Sequence, residues 1–326
     1  MLLYTSEPND IRPLTQVGRK LPVRSFSNLT NFFAMHLDYN DPIAWLDHRY
    51  ACDIKARNAS IEKKFISFFR PHESVLHITD VGAGTATNVC YYFDKLKHQQ
   101  EWTLIERYDF LLQAARERLR KFAEQQGYLW DEQSDRAQLI DNDKRATIRF
   151  VNGDVEHLEE LTDMEQTDVL VANAFYDLIS FDQFDALIGK IAHHNIAFLS
   201  TLNYYETSFY PFQEEDHQVM RWYHMHMKRP QLFGIAMGAD CCEEILDLLT
   251  QHHLMIEQES SQWHLKRSNT TMQHYILHFI ENALSELNLT SEEQNLFSQW
   301  LTIRKKQLHD RSLEIIIDHN DIFATE

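Results

Sequence analysis

With 326 residues, 44% of them hydrophobic and spread without repeat or low-complexity tract, the chain can bury a large core, which excludes a disordered, solenoid or fibrous protein. A formal net charge of -18 disfavours nucleic acid as a partner, because an acidic protein gains nothing from counterion release without a basic face. No apolar run approaches the roughly 18 residues of a membrane span, no secretion signal opens the chain, and Cys52, Cys90, Cys241 and Cys242 lack Cys-x-x-Cys spacing, so a cytoplasmic protein with reduced thiols is expected.

Residues 1–70 read as an N-terminal arm and helices that pack on the core. Pro8, Pro13 and Pro22 break the periodicity of the arm, and from Asp41-Pro42 onward Trp45, Leu46, Ala51, Ile54, Ile61 and Phe65 recur at helical spacing up to Arg70-Pro71. An alternation follows: a strand over 75–81, a helix over 87–97, a strand over 102–106 and a helix over 109–126. After a polar insertion come strands over 148–151 and 168–172, a helix over 181–193 and a strand over 196–202. Such alternation implies a doubly wound α/β sheet with parallel pairing and right-handed crossovers.

Residues 203–234 interrupt the pattern with eight aromatics in 32 residues, Tyr204, Tyr205, Phe209, Tyr210, Phe212, Trp222, Tyr223 and Phe233, together with His217, His224 and His226. Such a segment is expected to cover the substrate side of a site or to pack as a small helical cover. A helix over 239–253 precedes residues 254–266, which read as an edge hairpin turning at Ser260-Ser261. The domain is accordingly drawn over 71–267, and 268–326 read as a C-terminal helical extension, with helices over 271–287 and 291–309 and a last strand over 313–317.

The most informative stretch is Asp80-Val81-Gly82-Ala83-Gly84-Thr85-Ala86-Thr87-Asn88, which follows an apolar strand and opens a helix. Only eight glycines occur in the chain, and two stand here, where the backbone must turn sharply and come close to a ligand. Glu106 ends the next strand, about 20 residues on, where an acid can accept both hydroxyls of a ribose. Asp154, in Val151-Asn152-Gly153-Asp154-Val155, follows the third strand, where a carboxylate can accept from an adenine amino group. Taken singly, Glu106 also reads as a solvated strand-end acid and Asp154 as a turn or cap residue.

Together these loops resemble the class I, seven-stranded S-adenosylmethionine-dependent methyltransferase family, over about residues 74–267. The resemblance implies a mostly parallel sheet of seven strands with an antiparallel last strand, and S-adenosyl-L-methionine as cofactor, leaving S-adenosyl-L-homocysteine. It implies cofactor contacts from Asp80, Gly82, Ala83, Gly84, Thr85, Asn88, Glu106, Arg107, Asp154, Val155 and Asn173, and a reach of Arg57 to the cofactor carboxylate. The third glycine common in the loop is Ala86 here, a substitution expected to cost little and to fit a cofactor without a diphosphate better than a dinucleotide.

In-line methyl transfer needs alignment first and a base only when the nucleophile must lose a proton. The exit of the fourth strand, Asn173-Ala174-Phe175-Tyr176-Asp177, makes Asn173, Tyr176 and Asp177 candidates for orienting the acceptor, and His226 a candidate base. No metal is expected, since no acid stands at ligand spacing from His224 and His226. A small-molecule acceptor is the leading expectation. A protein acceptor, an inactive cofactor-binding protein of the same fold and a nicotinamide-dependent oxidoreductase are the alternatives.

Overall fold

The computed structural model of the chain describes residues 38–69, 75–231 and 234–326, so the expected arm before residue 38, and Phe233, lie outside the described residues. Helix α1 (Pro42–Ala56) starts where the Asp41 side chain accepts the Ile43 N–H and Pro42 fills the first turn, and α2 (Ala59–Phe68) is capped likewise by Asn58. The buried positions of α1 are Trp45, Arg49, Asp53 and Ala56, so an arginine and an aspartate share the face turned to the interior.

The rest alternates as the sequence suggests, with β1 (Leu76–Val81), α3 (Thr87–Tyr92), β2 (Gln100–Glu106), α4 (Asp109–Gln126), β3 (Leu129–Glu132), β4 (Arg136–Asp141), β5 (Lys144–Asn152), α5 (Leu158–Leu161), β6 (Val169–Asn173), α6 (Phe181–His193) and β7 (Ala197–Tyr210). Then follow α7 (Glu215–Met227), a short ribbon of β8 (Pro230–Gln231) and β9 (Gly234–Ile235), α8 (Cys241–Gln251), β10 (Met255–Leu265), α9 (Thr270–Ser285), α10 (Ser291–His309) and β11 (Glu314–Thr325). The main sheet runs β10-β11-β7-β6-β1-β2-β5-β4-β3, and its five central strands pair in parallel. This is the doubly wound, Rossmann-like arrangement, with a reversed strand on the β7 side, β11, antiparallel to both its neighbours.

The sheet has nine strands, two more than the family pattern implies. The surplus is β3 and β4, which add an antiparallel edge beyond β5 in the stretch read as a polar insertion. Ala137 and Leu139 face inward there at a spacing of two, while Asn142 takes the left-handed conformation in the turn to β5.

Two further corrections concern the C-terminal third. Residues 254–266 are not a hairpin: β10 is one continuous strand, and its antiparallel partner over the whole length from Met255 to Leu265 is β11. The reversed strand is therefore the last segment of the chain, and the division at 267 cuts through the sheet, because α9 and α10 are inserted between two of its strands. In the segment 203–234, β7 continues to Tyr210 and α7 follows, so Tyr204, Tyr205, Phe209 and Tyr210 stand on a strand and Trp222 and Tyr223 on a helix.

Buried residues form three clusters. Two cover the faces of the sheet, and the third joins α1, α7, α9 and α10 to the ends of β7, β10 and β11 around Trp45, Trp263, Tyr275 and Trp300. Among the described residues no helix is long and apolar enough to cross a membrane.

Candidate functional site

Strand order reverses at β1, whose neighbours β2 and β6 lead away to opposite sides, and the C-terminal ends of these strands open a crevice there. A cavity of about 1180 Å³, counting the part open to solvent, occupies it. Gly82, Ala83, Gly84, Thr85, Asn88, Glu106, Arg107, Asp154, Val155 and Asn173 all line this one cavity, so ten of the sequence-predicted positions converge from four separate loops.

The turn after β1 is built from left-handed residues, Gly82 at φ 63° and Gly84 at φ 52°. At Gly82 a side chain is excluded twice over, because a Cβ there would lie 2.3 Å from the Phe175 ring, which closes over the turn. Ala86 is left-handed as well, at φ 59°. The alanine that replaces the third glycine is therefore not cheap, since an L residue held there is strained by roughly 1–2 kcal/mol.

Three amide hydrogens of this turn are engaged inside the protein. Ala83 N–H donates to the Ile105 carbonyl at 3.1 Å, Gly84 N–H to Glu106 Oε2 at 3.0 Å and Ala86 N–H to the Ala83 carbonyl at 2.9 Å. Glu106 Oε1 accepts the Tyr108 N–H at 3.0 Å. Each oxygen of Glu106 thus keeps a lone pair for the cavity, where the side chain is 7% exposed. Burial pushes this carboxyl up, against the pull of the Tyr108 and Gly84 amides. Across the crevice, Asp154 caps the turn at 155–157 by accepting the Glu156 N–H and lies 3.5 Å from Arg107. Asn152 ties the two loops by donating to the carbonyls of Glu106 and Arg107.

Asp80 does not line the cavity. It lies behind the turn, 1% exposed, accepts from Asn88 Nδ2 at 3.0 Å, and is pushed up to about 7 by burial. Arg57 is also displaced from its expected role. Its Nη2 donates to Asn88 Oδ1 at 2.6 Å, and its guanidinium packs on the rings of Tyr91 and Tyr92, outside the cavity wall. On α1 the basic residue that lines the cavity is Arg49, eight positions before Arg57, with Asp53. Arg49 Nε donates to Asp53 Oδ2 at 3.0 Å, and Asn173 reaches the same carboxylate at 3.4 Å while accepting from Thr201. Sequence reading missed this pair, although a charged pair at i, i+4 among the apolar positions of an amphipathic helix is the signal for it.

The remaining candidates separate. Tyr176 is fully buried among Phe175, Phe184 and Phe198, a packing residue away from the cavity. His226 faces the end of α9, 3.1 Å from Glu286, and lines neither this cavity nor the next, so the geometry gives it no proton to abstract from a ligand there. Asp177 lines a second cavity of about 500 Å³, again counting the part open to solvent, that shares Arg49 and Ala174 with the first. Ala174, between them, is held at φ 50° by its N–H bond to Thr201. Among the described residues no group of three His, Cys, Asp or Glu is placed to hold a metal ion.

No protein-family model matches the sequence, and no curated protein matches it. Solved structures align with low similarity. One is phosphoethanolamine N-methyltransferase 2 of Haemonchus contortus, in complex with phosphomonomethylethanolamine and S-adenosylhomocysteine, at 12% identity over 88% of this chain and 58% of that one, with a TM-score of 0.42. Another is a SAM-dependent methyltransferase from Geobacter sulfurreducens bound to S-adenosyl-L-homocysteine, at 12% identity over 88% and 99% of the two chains, with a TM-score of 0.42. A third is geranyl diphosphate C-methyltransferase from Streptomyces coelicolor A3(2), at 9% identity over 82% and 78%, with a TM-score of 0.39. The chain thus spans less than two thirds of the Haemonchus enzyme, and likeness at this level leaves the site to be read from its own residues.

Proposed function

We propose that the chain is an S-adenosylmethionine-dependent methyltransferase acting on a small molecule, with the cavity at the end of β1, β2, β5 and β6 as its cofactor site. The observation that carries this reading is the internal use of three of the turn's amides beside two cavity-facing acids. A dinucleotide site needs those amides free for a diphosphate at the helix N-terminus. Here the N–H groups of Ala83, Gly84 and Ala86 are spent within the protein, and the walls offer acceptors, which suits an adenosyl sulfonium.

On this reading Glu106 holds the ribose hydroxyls and Asp154 the adenine amino group. Thr85, whose Oγ1 is buried at the cavity without a partner among the described residues, and Arg49 with Asp53 and Asn173 would take the zwitterionic end. When bound, S-adenosylmethionine supplies an electrophilic methyl group on positively charged sulfur. The protein's own contribution is alignment, and the Asn173 side chain, fixed between Asp53 and Thr201, is placed to orient what enters from the second cavity. The rings and aliphatic side chains that line that cavity suit a small apolar acceptor.

Calorimetric titration tests the assignment. S-adenosylhomocysteine is expected to bind and NAD not to. Glu106→Ala and Asp154→Ala should each weaken binding by about 10- to 100-fold, the worth of hydrogen bonds to a charged group, while the circular dichroism spectrum stays that of the wild type. Unchanged affinity in both folded variants would overturn the reading.

A further inference from the structure

The second cavity is walled by rings and aliphatic side chains, Trp45, Tyr204, Tyr223, Trp263 and Phe279 among them, drawn from α1, β7, α7, β10 and α9. Its polar groups are few. The charge of Arg49 is matched by Asp53, and the guanidinium is packed 5.4 Å from the Trp45 ring and 5.0 Å from the Trp263 ring. His319 is buried against Trp263, and burial lowers its imidazole to about 3, so it faces the cavity neutral. Asp177 differs from both. It is 4% exposed, and its Oδ2 is buried without a hydrogen-bond partner among the described residues.

A carboxylate left in that condition is costly unless something supplies a donor, and a cationic or amino group is the donor that returns most. Flat aromatic walls select a planar body, and their ring faces also favour a cation. The indole N–H groups of Trp45 and Trp263, likewise without partners, can donate to lone pairs on the same molecule. An anionic group would have to lie beside the buried carboxyl of Asp177.

We infer that this second cavity is the acceptor pocket, and that its ligand is a flat, apolar molecule whose amino group bonds to Asp177. The inference rests on reading the adjoining cavity as the cofactor site, because only the shared wall of Arg49 and Ala174 makes the occupant an acceptor.

The test uses the full chain and three probes of one shape, tryptamine, tryptophol and indole-3-propionate, titrated by calorimetry with and without saturating S-adenosylhomocysteine. Tryptamine is expected to bind at least about tenfold more tightly than the alcohol or the carboxylate, as one charge-assisted hydrogen bond implies. Asp177→Asn should abolish that preference while leaving the affinity for S-adenosylhomocysteine unchanged. Ile280→Trp, which fills the pocket, should abolish binding of all three. Equal affinity of the wild type for amine and carboxylate, or an amine preference that survives Asp177→Asn, would overturn the inference. Failure of S-adenosylhomocysteine to bind would strike the cofactor reading instead, and the titrations without it separate the two.

Discussion

Replacing Gly82 by alanine isolates the physical demand of the turn after β1. At φ 63° an L residue is strained by roughly 1–2 kcal/mol relative to glycine. The new methyl group would also lie 2.3 Å from Phe175 Cδ2 and 2.8 Å from its Cε2 and Cγ, an overlap that the ring must escape. Overpacking of that kind costs about 1–3 kcal/mol. The lower entropy of alanine in the unfolded chain returns about 0.4–1 kcal/mol. Gly82→Ala should therefore lose on the order of 1–4 kcal/mol, read from urea denaturation followed by circular dichroism with the slope unchanged.

The two causes are separable. In a Phe175→Ala background the overlap is gone, so Gly82→Ala should cost only the backbone part, and the double-mutant cycle should give a coupling of about 1–3 kcal/mol. A Gly82→Ala protein as stable as the wild type, or a cycle with no coupling, would refute the account of the turn.

Asp80 gives a prediction in pH. Its folded carboxyl, pushed up to about 7 by burial, holds a proton that the unfolded chain releases near 3.9, so the unfolding free energy falls as pH rises from about 4 to 7. The loss is on the order of 4 kcal/mol at most, and Asp80→Asn should flatten it; denaturation midpoints of both proteins at pH 5 and 7.5 measure the difference, and equal slopes would exclude the mechanism. Asp216 accepts from Trp300 Nε1 at 2.6 Å and from Arg304 Nη2, and Arg304 is fully buried. Asp216→Ala removes the carboxylate paired with that buried charge, leaving only the Pro211 carbonyl and Gln307 as its acceptors, and should cost about 3–5 kcal/mol, whereas Asp216→Leu with Arg304→Met should cost far less, as urea denaturation of the two variants would show.

How much of this was legible depends on how local each feature is. The turn at 82–84, Glu106 and Asp154 could be found because each sits at the end of a strand that the apolar runs mark, and their convergence follows from parallel pairing alone. Arg49 was not singled out because Arg57, also buried, stands eight residues on, just past the end of the same helix, and periodicity cannot say which of two arginines reaches a cavity. The place of β11 was hidden for a different reason. Strand pairing order is a long-range property, and nothing in residues 313–325 says that they insert between β7 and β10 instead of adding at an edge.

That insertion bears on how the site is divided. Walls of the first cavity come mostly from short connections next to the strands that position them, so they are fixed once the sheet forms. Walls of the second cavity come from residues as far apart as Trp45, Tyr223, Phe279 and His319, and the outer part belongs to α9, carried between β10 and β11. Core positions of that kind tolerate hydrophobic exchange if volume is kept. Changes in α9 and α7 can therefore reshape what the second cavity accepts without moving Gly82, Glu106 or Asp154. Asp177 stands on the turn that follows β6, just beyond Asn173 and Ala174, so a pocket remodelled from the far side still presents its buried acid to whatever enters.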